Sequence, residues 1–215
     1  MEIEELRELS AKNGLSLNYI SKDEKMSEIL YALQEQDDLI LKGGTAINRV
    51  YINNKRFSED IDFDIITKDL KTALEKTKEI MSKLKEFKMK KPRTMNHSIR
   101  YDLYYINPLN HQDRIQIEFK PIKYIKITKK IVNFGFVPTL SSLHQVYDVG
   151  DLIQQKTDCI LNRREGKDYF DMYYLLEIPH KHISLPKKEL LLRLTLTPKE
   201  IKEVVVRPAE ALKAA

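Results

Sequence analysis

The chain has 215 residues, 42% hydrophobic and 32% charged, with one cysteine. That mixture fits a globular protein with its own core and a heavily charged surface. It excludes an internal disulfide or a cysteine-built zinc site, and no apolar run approaches the roughly 20 residues of a bilayer span. A net charge of +5 favours a polyanionic partner such as nucleotide or nucleic acid, and the acidic start Met1–Glu5, with no basic and apolar leader, predicts a cytoplasmic protein.

In chain order, Glu2 to Lys12 reads as a short amphipathic helix stopped near Gly14. Ser21 to Gln36 reads as a second helix, with Met26, Ile29, Leu30 and Leu33 at helical spacing. Leu39 to Leu41 is a short buried strand ended by Gly43 and Gly44, and Thr45 to Tyr51 turns away from it as a helix. Ile61, Phe63 and Ile65 alternate with Asp60, Asp62 and Asp64, the period of a strand with one apolar and one acidic face. Leu70 to Phe87 is a strongly amphipathic helix. Ile99 to Tyr105 and Ile115 to Phe119 alternate as strands around a turn at Pro108 and Asn110, and Tyr124 to Thr128 adds a third β-like stretch. From Val149 the period is helical again. One helix carries Lys156 and Arg163 and closes at Gly166, and a second starts near Lys167. The tail from Ser184 to Ala215 reads as two short helices.

The acidic strand is the most informative segment. Carboxylates at alternate strand positions project from one face, where they repel and raise one another's pKa. A divalent cation reverses the sign of that interaction, and magnesium takes hard oxygen ligands. Asp60 and Asp62 are thus spaced to hold metal against a triphosphate. Gly43 and Gly44 leave room for close approach. Their backbone N–H groups, with the Thr45 hydroxyl and the start of a helix, can cradle phosphate oxygens. Taken alone, each half also reads as a solvated strand face or a simple turn. Arg56 can pair with phosphate through its bidentate fork or lie on the surface.

Gly43-Gly44-Thr45 followed by Asp60-Ile61-Asp62 resembles the DNA polymerase β nucleotidyltransferase superfamily. The fuller string Lys42-Gly43-Gly44-Thr45 and Arg56-Phe57-Ser58-Glu59-Asp60-Ile61-Asp62-Phe63 closely resembles its AbiEii/AbiGii toxin family, which includes the MenT-like toxins. The resemblance spans about residues 38 to 178. It implies an α/β (α+β) fold of the polymerase-β kind, a small mixed sheet flanked by helices with a helical C-terminal half. The expected division is a sheet lobe over residues 1–140 and a helical lobe over 141–215. It implies that Asp60 and Asp62 bind Mg²⁺ or Mn²⁺, with Glu118 as a third carboxylate able to help deprotonate an acceptor hydroxyl. Ser58 matches a serine that some such toxins use beside the active site, or is a turn residue capping the strand.

The stretch from Gln155 to Tyr173 resembles the second half of the same family. Lys156 and Arg163, seven apart, share a helix face, and Asp168 and Asp171, three apart, share a face of the next helix. By spacing alone these residues read as a salt-bridged helical hairpin. The resemblance implies that Lys156 contacts the NTP triphosphate, a role suited to a mobile point charge. It also implies that one of the two aspartates completes the site or holds Lys156 and Arg163; the spacing does not choose between them. Arg164 and Lys167 read as surface residues.

The implied activity is transfer of a nucleotide from an NTP to an acceptor, with a tRNA 3′ end expected, by the toxin of a toxin–antitoxin or phage-defence pair whose partner is a cognate antitoxin. A protein or a small molecule such as an aminoglycoside is the alternative acceptor. A non-catalytic module binding nucleotide or antitoxin is the alternative class. Two further features remain. The basic run Lys83, Lys85, Lys88, Lys90, Lys91 and Arg93 can track an RNA backbone or be a solvated face. Tyr101, Tyr104 and Tyr105 can stack on bases or pack in the core.

Overall fold

The computed structural model describes residues 1–125, 127–163 and 165–179. The fold is mixed α/β, as expected. Helix α1 (Ile3–Asn13) opens with a capping box between Glu2 and Glu5 and ends on Gly14, whose φ of 65° is the left-handed conformation glycine favours. Helix α2 (Leu17–Leu33) starts four residues before its predicted first residue, because Ser16 caps it by accepting from the Tyr19 N–H at 3.4 Å.

Strand β1 (Leu39–Lys42) runs directly into α3 (Gly43–Ala46), which widens into a π-helical turn, Ile47–Tyr51. Strand β2 (Asp60–Ile66) carries the acidic alternation. Helix α4 (Leu70–Met81) is capped by Asp69. It stops short of the predicted Phe87, because the chain turns so that Leu84 and Phe87 enter the core and Phe87 meets Tyr105. The basic run therefore leaves the helix for two short strands, β3 (Lys88–Met89) and β4 (Arg93–Thr94). Next come β5 (Ile99–Ile106), β6 (Gln112–Ile122), β7 (Lys129–Val132) and β8 (Ser142–Val146), then α5 (Val149–Asn162) and α6 (Gly166–Leu176).

The predicted strand at 124–128 does not form: β6 runs to Ile122 and the next strand begins at Lys129. Strand β8 escaped the sequence reading because its inward positions are Ser142, His144 and Val146 while Leu143 faces out, which scrambles the apolar alternation. The two tail helices expected from Ser184 lie outside the described residues.

The sheet order is β3-β5-β6-β2-β1-β8-β7, with β4 also on β5. Strand β1 is antiparallel to β2 and parallel to β8, while β2 is parallel to β6. Strand β8, just past the expected division at 140/141, thus belongs to the sheet. One face of the sheet packs Ile61, Phe63, Ile117 and Phe119 against α1, α2 and α4. The other packs Ile40 and Tyr147 against Leu152 and Ile153 of α5 and Met172 and Leu175 of α6.

A buried ion pair fixes the π-helical turn. Arg49 donates to Asp23 at 2.9 Å and to the Ser27 hydroxyl at 2.8 Å. Asp23 also accepts from the Val137 N–H at 2.9 Å, and a Cβ on Gly135 would lie 1.9 Å from its carboxylate. Burial pushes the Asp23 carboxyl up, with Arg49 opposing. Taking both charges from water is costly, so losing one partner is far worse than never having had the pair.

Candidate active site

Register on β2 decides what the acidic face can do. Asp60, Asp62 and Asp64 lie opposite Gln116, Glu118 and Lys120 of β6, and Asp62 and Asp64 lie opposite Lys42 and Ile40 of β1. Asp64 is buried and fully engaged: Lys42 donates to one oxygen and the Tyr147 hydroxyl donates to the other at 2.5 Å. Asp60 and Asp62 differ. Among the described residues neither carboxylate has a hydrogen-bond or ion-pair partner. By contrast, each fully buried acid has a cation: Asp23 has Arg49, Glu24 the N-terminal amine, Asp64 Lys42, Asp168 Lys156, and Asp171 Arg56. Burial pushes the Asp62 carboxyl up to about 6, against the pull of Lys42 and reinforced by Glu118 and Asp60. Asp60 is raised too, by burial first and Glu59 second.

The glycine pair is shaped around these side chains. Gly43 has a φ of +68°, and a Cβ there would lie 2.3 Å from an Asp62 carboxylate oxygen. A Cβ on Gly44 would lie 2.6 Å from an Arg56 guanidinium nitrogen and 2.8 Å from the Ser58 hydroxyl. The two N–H groups at the start of α3 lie beside Asp62 and have no side-chain cap. The Thr45 hydroxyl, read as part of the phosphate cradle, instead donates to the Asp60 carbonyl at 2.5 Å and lies 3.1 Å from Ser58 Oγ. It holds the start of the acidic strand against α3. Ser58 lines the cleft beside Gly44.

Helices α5 and α6 supply the second wall. Lys156 Nζ lies 2.9 Å from Asp168 and 2.7 Å from Asp171. Arg163 makes contacts of 2.9 and 3.2 Å to Asp168. Arg56 grips Asp171 through Nε at 2.8 Å and Nη2 at 2.6 Å. Arg56 is therefore neither a surface residue nor free to fork a phosphate; it is buried and consumed by Asp171. Both aspartates hold Lys156, so neither is spare. Burial alone pulls the Lys156 ammonium down, but Asp171 and Asp168 outweigh it and leave it raised. Burial likewise pushes Asp168 up, yet Arg163 and Lys156 hold it below its ordinary value. Lys156 and Asp168 therefore stay charged at neutral pH.

Between the walls lies a cleft of about 550 Å³ lined by Gly43, Gly44, Asp60, Asp62, Glu118, Lys156 and Arg163, among others. Glu118 is on the floor as expected, but Arg100 donates to it at 2.6 Å. Arg100 and Lys120 also line the cleft, and the sequence reading singled out neither. Lys167, read as surface, also reaches the cleft rim and pairs with Glu165 at 2.9 Å. Arg164 lies outside the described residues. Tyr101 and Tyr105 are core residues, edge-on to Phe119 and Phe87.

The donor set suits a hard divalent cation shared with a phosphate. Among the described residues no three acidic, histidine or cysteine side chains converge as a closed metal cage. Two unpartnered carboxylates on one strand face fit the magnesium habit of taking one or two protein oxygens and completing its shell with water and substrate phosphate.

No curated protein matches the chain. Among solved structures, the MenT4 nucleotidyltransferase toxin of Mycobacterium tuberculosis superposes with a TM-score of 0.63 at 14% identity, over 88% of this chain and 68% of that one. A candidate nucleotidyltransferase from H. pylori gives 0.56 at 17% identity over 89% and 93%. An antigenic nucleotidyltransferase-like protein from Paracoccidioides brasiliensis gives 0.54 at 16% identity over 90% and 93%. At these identities the likeness is one of fold. The model of the nucleotidyl transferase AbiEii toxin family, of type IV toxin–antitoxin systems, matches residues 26–214, nearly the whole length, and the chain is therefore a nucleotidyltransferase belonging to that family.

Proposed function

We propose that the chain transfers a nucleoside monophosphate from an NTP to the 3′ hydroxyl of an RNA, a tRNA end being the expected acceptor. The observation that carries this reading is the pair Asp60 and Asp62, carboxylates without partners among the described residues, beside the Gly43–Gly44 turn and a buried lysine. Mg²⁺ or Mn²⁺ held by Asp60 and Asp62, with Glu118 beside them, supplies charge neutralisation at the triphosphate and lowers the pKa of the attacking hydroxyl.

The chain's own residues do the rest. The N–H groups of Gly43 and Gly44 take phosphate oxygens, and Lys156 and Arg163 face the triphosphate from the helical wall. The new bond joins the acceptor oxygen to the α-phosphorus. The bond from that phosphorus to the bridging oxygen breaks, and pyrophosphate leaves with the electron pair. The hydroxyl proton passes to a floor carboxylate, Glu118 in this reading. Positions fixed before substrate arrives contribute through orientation and electrostatics.

In the cell the protein would act in the cytoplasm as the toxin of its pair, restrained by a cognate antitoxin. No helix among the described residues is long and apolar enough to cross a membrane. The test is incubation with each labelled NTP, total tRNA and Mg²⁺, followed by sizing of the labelled product. Label at tRNA size, lost in Asp60→Asn and Asp62→Asn, supports the reading. Label on protein or on a small molecule replaces the acceptor, and no label with any NTP removes the proposal.

A further inference from the structure

Among the described residues, the sheet face that carries Asp60 and Asp62 is roofed by α5 and α6 over β1, while no element packs on it over β5 and β6. Register lays one row of charged residues across it. Lys42, Asp62, Glu118, Arg100 and Arg93 are successive cross-strand partners on β1, β2, β6, β5 and β4. With strands about 4.8 Å apart, Arg100 is about 10 Å and Arg93 about 14 Å from Asp62 along that row.

The open face is rich in cations. Lys120 lines the cleft, is exposed, and has no ion pair among the described residues. Lys88 stands opposite Tyr104 in register, and Lys90 lies 4.9 Å above the Tyr104 ring. Arg93 and Arg114 share Asp102, at 2.9 and 3.4 Å, and both side chains remain more than half exposed. Lysines on β3 also suit an edge that must not pair with another strand. That role alone does not require Arg100 and Lys120 on the cleft floor.

Chemistry sets the direction of approach. In-line transfer needs the acceptor oxygen opposite the departing pyrophosphate. The triphosphate side is taken by Gly43, Gly44 and Lys156, so the acceptor arrives from the side of β6, where Glu118 and Arg100 stand. We infer that the open face of β6, β5 and β4 is the acceptor track. The single-stranded end of a polynucleotide lies across it, with its terminal hydroxyl at Asp60 and Asp62 and its backbone phosphates over Lys120, Arg100 and Arg93. Arg100 and Arg93 lie on adjacent strands of the row, and Lys120 lies two residues along β6 from Glu118, so neighbouring phosphates of an extended strand meet neighbouring cations. The position of the hydroxyl rests on the nucleotidyl-transfer reading; the track itself is a binding surface that can be measured without turnover.

The experiment is fluorescence anisotropy of a short labelled single-stranded oligoribonucleotide, without NTP, across a salt series. The variant Lys88→Glu/Lys90→Glu/Arg93→Glu, which leaves the cleft lining untouched, should bind at least about 10-fold more weakly, with a log–log salt slope shallower by about 2 to 3. The variant Lys71→Glu/Lys78→Glu changes charge on α4, which packs on the opposite face, and should bind within about 2-fold of the parent. Protection against thermal unfolding by an NTP mixture with Mg²⁺ should persist in both. Equal binding by the triple variant, equal weakening by the α4 variant, or no salt-dependent binding by the parent would overturn the track. Absence of NTP protection in the parent would instead count against the transfer reading.

Discussion

Arg56 and Asp171 lie 115 positions apart and meet through two contacts, of 2.8 and 2.6 Å, that tie the loop entering β2 to helix α6. The second Asp171 oxygen also takes Lys156 Nζ at 2.7 Å. The guanidinium crosses over Gly44, so one arginine fixes the glycine, the lysine and the gap between the walls.

Removing that arginine should be severe. Arg56→Met leaves Asp171 buried with Lys156 alone, and breaking a buried pair from one side costs about 3–5 kcal/mol. Arg56→Lys keeps the charge but loses the fork and should recover only part of the stability. Denaturant melts of the two variants check this order.

Asp62 should trade stability for function. Its folded pKa of about 6 lies above the ordinary 3.8. The folded state therefore holds this proton more tightly than the unfolded chain does. Its contribution opposes folding at neutral pH and fades as pH falls from about 6 toward 4. Asp62→Asn should be inactive with Mg²⁺ present and, without divalent ions, melt several degrees higher than the parent at pH 7.5, as about 3 kcal/mol predicts for a chain of this size. Mg²⁺ with NTP should raise the parent's melting temperature and leave the variant's unchanged. Transfer by the parent at subsaturating Mg²⁺ should drop about 10-fold per unit below pH 6, since proton and metal compete for one carboxylate.

Gly43→Ala meets two obstacles at once, a φ of +68° and an Asp62 oxygen 2.3 Å from the new methyl. The conformational strain alone costs about 1–2 kcal/mol. Displacement of Asp62 should cut transfer by about 100-fold, the penalty for an ångström's misplacement of a reacting group. Steady-state kinetics beside a thermal melt separates the two effects.

Tyr147→Phe probes the floor from behind. It removes one bond to the Asp64 carboxylate without entering the cleft, and such charge-assisted bonds contribute about 1.5–3 kcal/mol. Lys42 keeps its ion pair with Asp64, so the loss should appear in a denaturant melt while the turnover number changes little.

The alternation from Asp60 to Ile65 and the paired glycines were legible because strand period and backbone freedom are local properties. The two helices of the wall were legible from spacing but their junction was not: α5 ends at Asn162, which leaves Arg163 in extended backbone rather than on the Lys156 helix face, and Gly166, read as the stop, opens α6. What escaped was non-local. Nothing near Arg56 announces Asp171, and nothing near Glu118 announces Arg100 on a neighbouring strand. Asp64 continues the acidic alternation, yet Lys42 and Tyr147 claim it, and only the packing of β8 beside β1 brings that tyrosine within reach. Thr45 looked available for phosphate until the fold placed the Asp60 carbonyl against its hydroxyl.

The most direct measurement is Mn²⁺ uptake followed by electron paramagnetic resonance with a non-hydrolysable NTP analogue present. The parent should bind the ion, and Asp60→Asn and Asp62→Asn should each weaken it by about 10–100-fold, the scale of losing a ligand or its support. Undiminished Mn²⁺ binding in both variants, with nucleotide transfer intact, would contradict the assignment of the two unpartnered aspartates.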